Sequence, residues 1–184
     1  MGAAVAAVAV AAVADTGRFD RDGLAHLRGG ARRVALAALA ELLTDGRLRT
    51  DHADRLYRVD GAQAADPVEA AALERRGDVR GALRELSRHE SVRAVGERVR
   101  RSGLNRRGLL GTKPTAEGAR LIEEARGHRR RVAIRVALDG VEGIPEGPIR
   151  KLFVRAGAGP IRGTGDGGWT GTGGEDGGGS GGND

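Results

Sequence analysis

The stretch "LRGGARRVALAALAELLTDGRLRT", residues 27–50, decides the fold. Val34, Leu36, Leu39, Leu42 and Leu43 give a helix over 31–44 a broad apolar surface, with Glu41 on its wet side. Gly29-Gly30 stops the short helical turn over 24–27 that precedes it. Asp45-Gly46 ends the helix and opens a turn. "RLRTD" and "RLYRV" then alternate apolar and polar residues at period two around His52-Ala53-Asp54, which predicts a small hairpin. One pair does not fit a plain core helix. Arg32 and Arg33 stand in the first turn, where the helix dipole disfavours cations by about 0.3–1 kcal/mol and where free backbone N–H groups suit phosphate.

Further along, Asp66-Pro67 with Glu69 is a helix start with a capping box, and this helix is expected to run to about Arg76. Asp78 caps a helix that turns Val79, Leu83 and Leu86 to one face. Ser91 is placed to cap the next, with Val92, Val95 and Val99 on one side. "RRGLL" and "GTKP" predict a second hairpin. Thr115 caps a helix burying Leu121, Ile122 and Ala125. "RVAIRVALDGV" continues as helix to Gly140 or Gly143, and 145–154 closes with a short one. Helix, helix, hairpin thus occurs over 24–59 and again over 79–115, the plan of a winged helix–turn–helix unit. The expected fold is mainly α. Residues 1–23 form an Ala-rich segment and turn, 24–65 and 66–126 are two tandem winged-helix-like units, and 127–155 is a helical extension. From 156 to 184 the chain is Gly-rich and predicted disordered.

Composition narrows the function classes. The 184 residues are 39% hydrophobic but 2% aromatic, so the core is built from Ala, Val and Leu. No cysteine is present, which excludes disulfides and thiolate metal sites. The net charge of +6 is almost all arginine; Lys113 and Lys151 are the only lysines, a usage that a GC-rich genome also produces. The opening "MGAAVAAVAVAAVA" is apolar but short of the roughly 20 strongly apolar residues of a spanning helix. It reads as an Ala-rich helix, a weak export signal in which Ala12-Val13-Ala14 mimics a cleavage site, or a start-site artefact.

Five blocks, "LRGGARRVALAALAELLTDGRL", "DPVEAAALE", "SVRAVGERVRRSGLNRRGLL", "TAEGARLIEEA" and "VALDGVEGIPEGPIRKLF", resemble in order an actinobacterial family of domain-containing membrane proteins of unknown function. The resemblance covers 24–154 and supports the fold. It implies no catalytic residues. Many relatives carry a membrane segment near the N-terminus and a membrane hairpin between the blocks matching "RRGLL" and "TAEGARL"; here Leu110 runs almost directly into Lys113-Pro114.

His26, His52, His89 and His128 are scattered without ligand spacing and read as surface histidines. Glu69, Glu74, Glu123 and Glu124 read as solvated carboxylates, and Ser87, Ser91 and Ser102 lack a nucleophile's setting. "GTGDGG" in the tail lacks the Gly-Lys-Ser/Thr ending of a phosphate loop. No catalytic, cofactor or metal site is expected. The candidate anion- or partner-binding residues are Arg32, Arg33, Arg98, Arg101, Arg106 and Arg107, with Arg100 in the same patch and Arg129–Arg131 as a third group. The expectation is a non-catalytic binding or scaffold module for an unknown protein or anionic surface. It would be cytoplasmic or peripheral at the inner face of the membrane, without an integral span. The alternative is a winged-helix regulator that binds DNA.

Overall fold

The computed structural model describes residues 20–108, 111–127 and 131–159. The expectations for the N-terminal segment, His128, Arg129, Arg130 and the chain from 160 onward lie outside the described residues. The fold is mainly helical with small antiparallel strand pairs, as the sequence predicts. Its elements are α1 (Arg21–Thr44), β1 (Leu48–Thr50), β2 (Arg55–Arg58), α2 (Pro67–Leu73), β3 (Gly77–Asp78), α3 (Val79–Ser87), α4 (Glu90–Arg101), β4 (Asn105–Gly108), β5 (Gly111–Pro114), α5 (Ala116–Arg126), α6 (Val132–Asp139), a 3-10 turn (Gly140–Gly143) and α7 (Pro148–Arg155).

Helix α1 is the axis. It runs through the opening stretch but is broken where the glycine pair predicts. Gly29 leaves helical geometry, and Gly30 sits at φ 63°, ψ −158°, a region open essentially to glycine alone. The first arm, 21–28, is capped by Asp20, whose side chain accepts from the Asp22 N–H. In the second arm Val34, Ala35, Ala37, Ala38, Leu39, Ala40 and Leu42 are completely enclosed. So many alanines let neighbouring helices approach closely. α2 to α7 all touch α1, and the buried residues form one continuous cluster.

The local start signals act as written. Asp66 accepts from Val68 N–H and Glu69 N–H with Pro67 at the first helical position. Asp78 accepts from Gly81 N–H, and Thr115 from Gly118 N–H. Two details differ. α4 begins at Glu90, because His89 is the extended capping residue and its Nδ1 accepts from Ser91 N–H. α2 stops at Leu73, and Gly77–Asp78 pairs antiparallel with β2. This pairing joins the segments 24–65 and 66–126. β1–β2 and β4–β5 are antiparallel hairpins at the expected places. The ordered chain also reaches into the segment read as tail. Gly157 at φ 73° and Ala158, whose N–H donates to Phe153 O at 2.9 Å, close α7 in a Schellman motif.

Candidate functional site

The expected anion site at the start of the second α1 arm is engaged within the molecule. Arg28, at the end of the first arm, donates from Nε to Leu138 O at 3.2 Å. Arg33 donates from Nη1 to Ala137 O at 3.4 Å, and its guanidinium lies against Gly140. Both carbonyls belong to the last turn of α6, where unpaired C=O groups carry partial negative charge. Arg33, which the dipole of the second α1 arm disfavours, therefore meets a second helix end that favours it. Burial, then the neighbouring charge of Arg28, holds the Arg33 guanidinium below its ordinary pKa, opposed by Asp139. Arg32 is exposed and donates to Gly157 O at 2.6 Å.

Arg98 lies elsewhere. It pairs with Asp20 at the far end of the first arm, so it is not grouped with Arg32 and Arg33. The rest of the second patch sits on α4 and its hairpin. Arg93, Arg100 and Arg101 are exposed on α4, and only Arg101 has a described acidic partner, Glu97 at 3.9 Å. Arg106 pairs in register with Lys113, and both side chains are exposed. Arg107 belongs to β4, but its side chain lies outside the described residues. Arg131 is exposed at the N-cap position of α6.

Sequence reasoning missed a buried ion cluster. Arg21, 11% exposed, donates to Asp22 at 2.7 Å, Glu69 at 2.9 Å and Asp66 at 2.7 Å, and it also pairs with Glu41. Arg47 reaches the same Glu69, which is 2% exposed and also accepts from Ala65 N–H. Glu41 and Glu69 are therefore not the solvated groups their helical positions suggest. Glu69 completes the capping box one residue early, on Ala65 instead of Asp66. Burial pushes the Asp22 carboxyl up to about 6 against the opposing charge and hydrogen bond of Arg21. Burial also works to raise Glu69, but Arg47, the Ala65 N–H and Arg21 together hold it below the usual carboxylate range. The cluster joins both arms of α1, the start of α2 and the approach to β1. Its oxygens face guanidinium groups, so it reads as a structural lock.

His26 is a second correction. Its ring is half-buried between the first arm of α1 and α4, close enough to Gly96 that an added Cβ would lie 2.8 Å from Cε1. Its buried Nδ1 has no hydrogen-bond partner among the described residues, and burial lowers its pKa. His52 is exposed, and His89 is the α4 cap.

Among the described residues no group of His, Asp or Glu stands where it could hold a metal ion. No helix among them is long and apolar enough to cross a membrane. A shallow groove along α7 is lined by Glu146, Arg150, Lys151 and Val154, and Arg150 is already paired with Glu142. No protein-family model, no curated protein and no solved structure matches this chain.

Proposed function

We propose that this protein is a non-catalytic binding module whose working face is the outer surface of α4 with the β4–β5 hairpin, and that its partner is anionic. The observation that carries the reading is how the cations are allocated. Arg21, Arg28, Arg33 and Arg47 are engaged by carboxylates or helix carbonyls inside the fold. Arg93, Arg100, Arg106 and Lys113 are exposed and have no described carboxylate partner. Arg106 and Lys113 stand directly across the hairpin, and like charges so placed oppose strand pairing. An anionic partner removes that repulsion. Attachment at an inner membrane face would use the same cations.

Retention on immobilised heparin tests the reading. The full chain should bind at about 50 mM salt and elute as salt rises. Arg100→Gln with Arg106→Gln should elute at lower salt, while Arg32→Gln should not shift elution. Flow-through of the wild-type protein at low salt defeats the proposal.

A further inference from the structure

We infer that the anionic partner is duplex nucleic acid, with α3 laid along one phosphate backbone and α4 turned toward the adjoining groove. The inference rests on the reading of α4 and its hairpin given above, and a separate feature carries it further. Arg80, Arg84 and Arg88 recur every four residues from α3 into its cap, and all three are exposed. Four-residue spacing stacks them in a row on one side of the helix. The opposite side carries Val79, Ala82, Leu83 and Leu86 into the core. Arg80 donates to Arg155 O at 3.3 Å, and no described carboxylate pairs with Arg84 or Arg88. Three like charges in a helical row repel one another; Arg80 meets a carbonyl in the last turn of α7, and Arg84 and Arg88 stand at the C-terminal end of α3, where the helix dipole favours cations, but no described carboxylate neutralises the row.

The row spans about 12 Å at a rise of about 1.5 Å per residue. Over that length each strand of a duplex presents about three phosphates, at about 3.4 Å per charge along the axis. The placement also fits. Only Arg88 and His89 separate α3 from α4, and the β4–β5 hairpin follows α4. Helix–turn–helix docking also sets the first helix on the backbone and the second in the groove, but there the first helix crosses the strand, whereas the α3 row follows it. The acidic residues on these elements leave the row intact: Glu85 pairs with Arg75 and Glu97 with Arg101, leaving Glu90 in the first turn of α4. A lipid surface fits less well. Membrane-lying helices place large apolar side chains beside their cations. Among the described residues the exposed large hydrophobics are Tyr57 and Val154, neither on α3 nor on α4.

The test is fluorescence anisotropy of the full chain on a labelled random-sequence duplex two helical turns long, across a salt series. Wild-type affinity should fall steeply with salt. Arg80→Gln, Arg84→Gln and Arg88→Gln together should weaken binding at least tenfold and flatten the log–log salt slope by about 2–3, at about 0.9 per phosphate lost. Circular dichroism checks that the helices persist, and the single Arg84→Glu variant gives the same direction with the least change. Binding that is undiminished in the triple variant overturns the inference. Retention on heparin, or flotation with phosphatidylglycerol vesicles, without duplex binding overturns the nucleic-acid inference and leaves the anionic-partner reading standing. Failure to bind all three probes defeats both.

Discussion

Gly118 sets two physical effects against each other, and the structure decides the sign. It lies in the first turn of α5, where replacing glycine by alanine gains about 1 kcal/mol of helix propensity. Here an added Cβ would lie 2.2 Å from Leu104 O, 3.2 Å from its carbonyl carbon and 3.4 Å from Pro114 Cβ. Carbon–oxygen contacts ordinarily settle at about 3.3–3.6 Å, so α5 or the Leu104 carbonyl must move by about 1 Å. That carbonyl accepts from Thr115 N–H at 2.9 Å, a bond worth about 1 kcal/mol that the movement strains. Overpacking of this kind costs about 1–3 kcal/mol. Gly118→Ala should therefore lower stability by about 1–3 kcal/mol after the propensity gain is subtracted. Gly81→Ala in α3 is the matched control. Its Cβ would rest 3.4 Å from Asp78 Oδ1, an ordinary contact, so it should gain about 0.5–1 kcal/mol. Urea unfolding followed by circular dichroism measures both. Gly118→Ala at or above wild-type stability, with an unchanged m value, would refute the reasoning.

Other outcomes follow from the buried charges. The Asp22 carboxyl titrates near 6 in the fold and near 3.8 in an open chain, so the folded state holds the extra proton between those values. Its contribution to stability is full below pH 4, declines as pH rises to about 6 and is gone above it. Asp22→Asn removes that decline, and its stability relative to wild type should rise by up to about 3 kcal/mol between pH 4 and 7. A difference that stays flat with pH contradicts the burial of this carboxyl. Glu69→Ala removes the carboxylate that Arg21 and Arg47 share, while Arg21 keeps Asp22, Asp66 and Glu41 and Arg47 keeps Asp45, so it should cost about 1.5–3 kcal/mol in urea unfolding; a cost under about 0.5 kcal/mol places the cluster in solvent. Arg33→Met keeps an apolar stem but removes the charge from the end of α6. It should cost about 1 kcal/mol, read as a lowered urea midpoint, whereas Arg100→Met on the open face of α4 should be nearly neutral.

What the sequence reveals depends on how far its signals reach. Asp66-Pro67, Asp78 and Thr115 mark helix starts because capping is settled within three residues. The apolar positions of 31–44 identify a core helix for the same reason. Ser91 misleads by two positions, because His89 supplies the ring nitrogen that takes the capping role. The ion cluster is another matter. Arg21 meets Asp66 across 45 positions and Arg33 meets Ala137 across 104, distances at which periodicity carries no information. Glu41 looks wet because its own helix says so; the segment that covers it arrives from before the kink. The Arg80–Arg84–Arg88 row is readable in the sequence once α3 is in place, by counting fours.

The broken axis has a consequence for how the chain can be edited. On an unbroken helix residues 28 and 33 would point about 140° apart, at about 100° per residue, and would not reach one target. The left-handed step at Gly30 resets the rotation between the arms, so that Arg28 and Arg33 close on neighbouring carbonyls of α6 like two jaws. The glycine pair is thus an indexing device, and its length matters as much as its composition. Adding or removing one residue there turns one jaw away from α6 while leaving every side chain of the grip in the sequence.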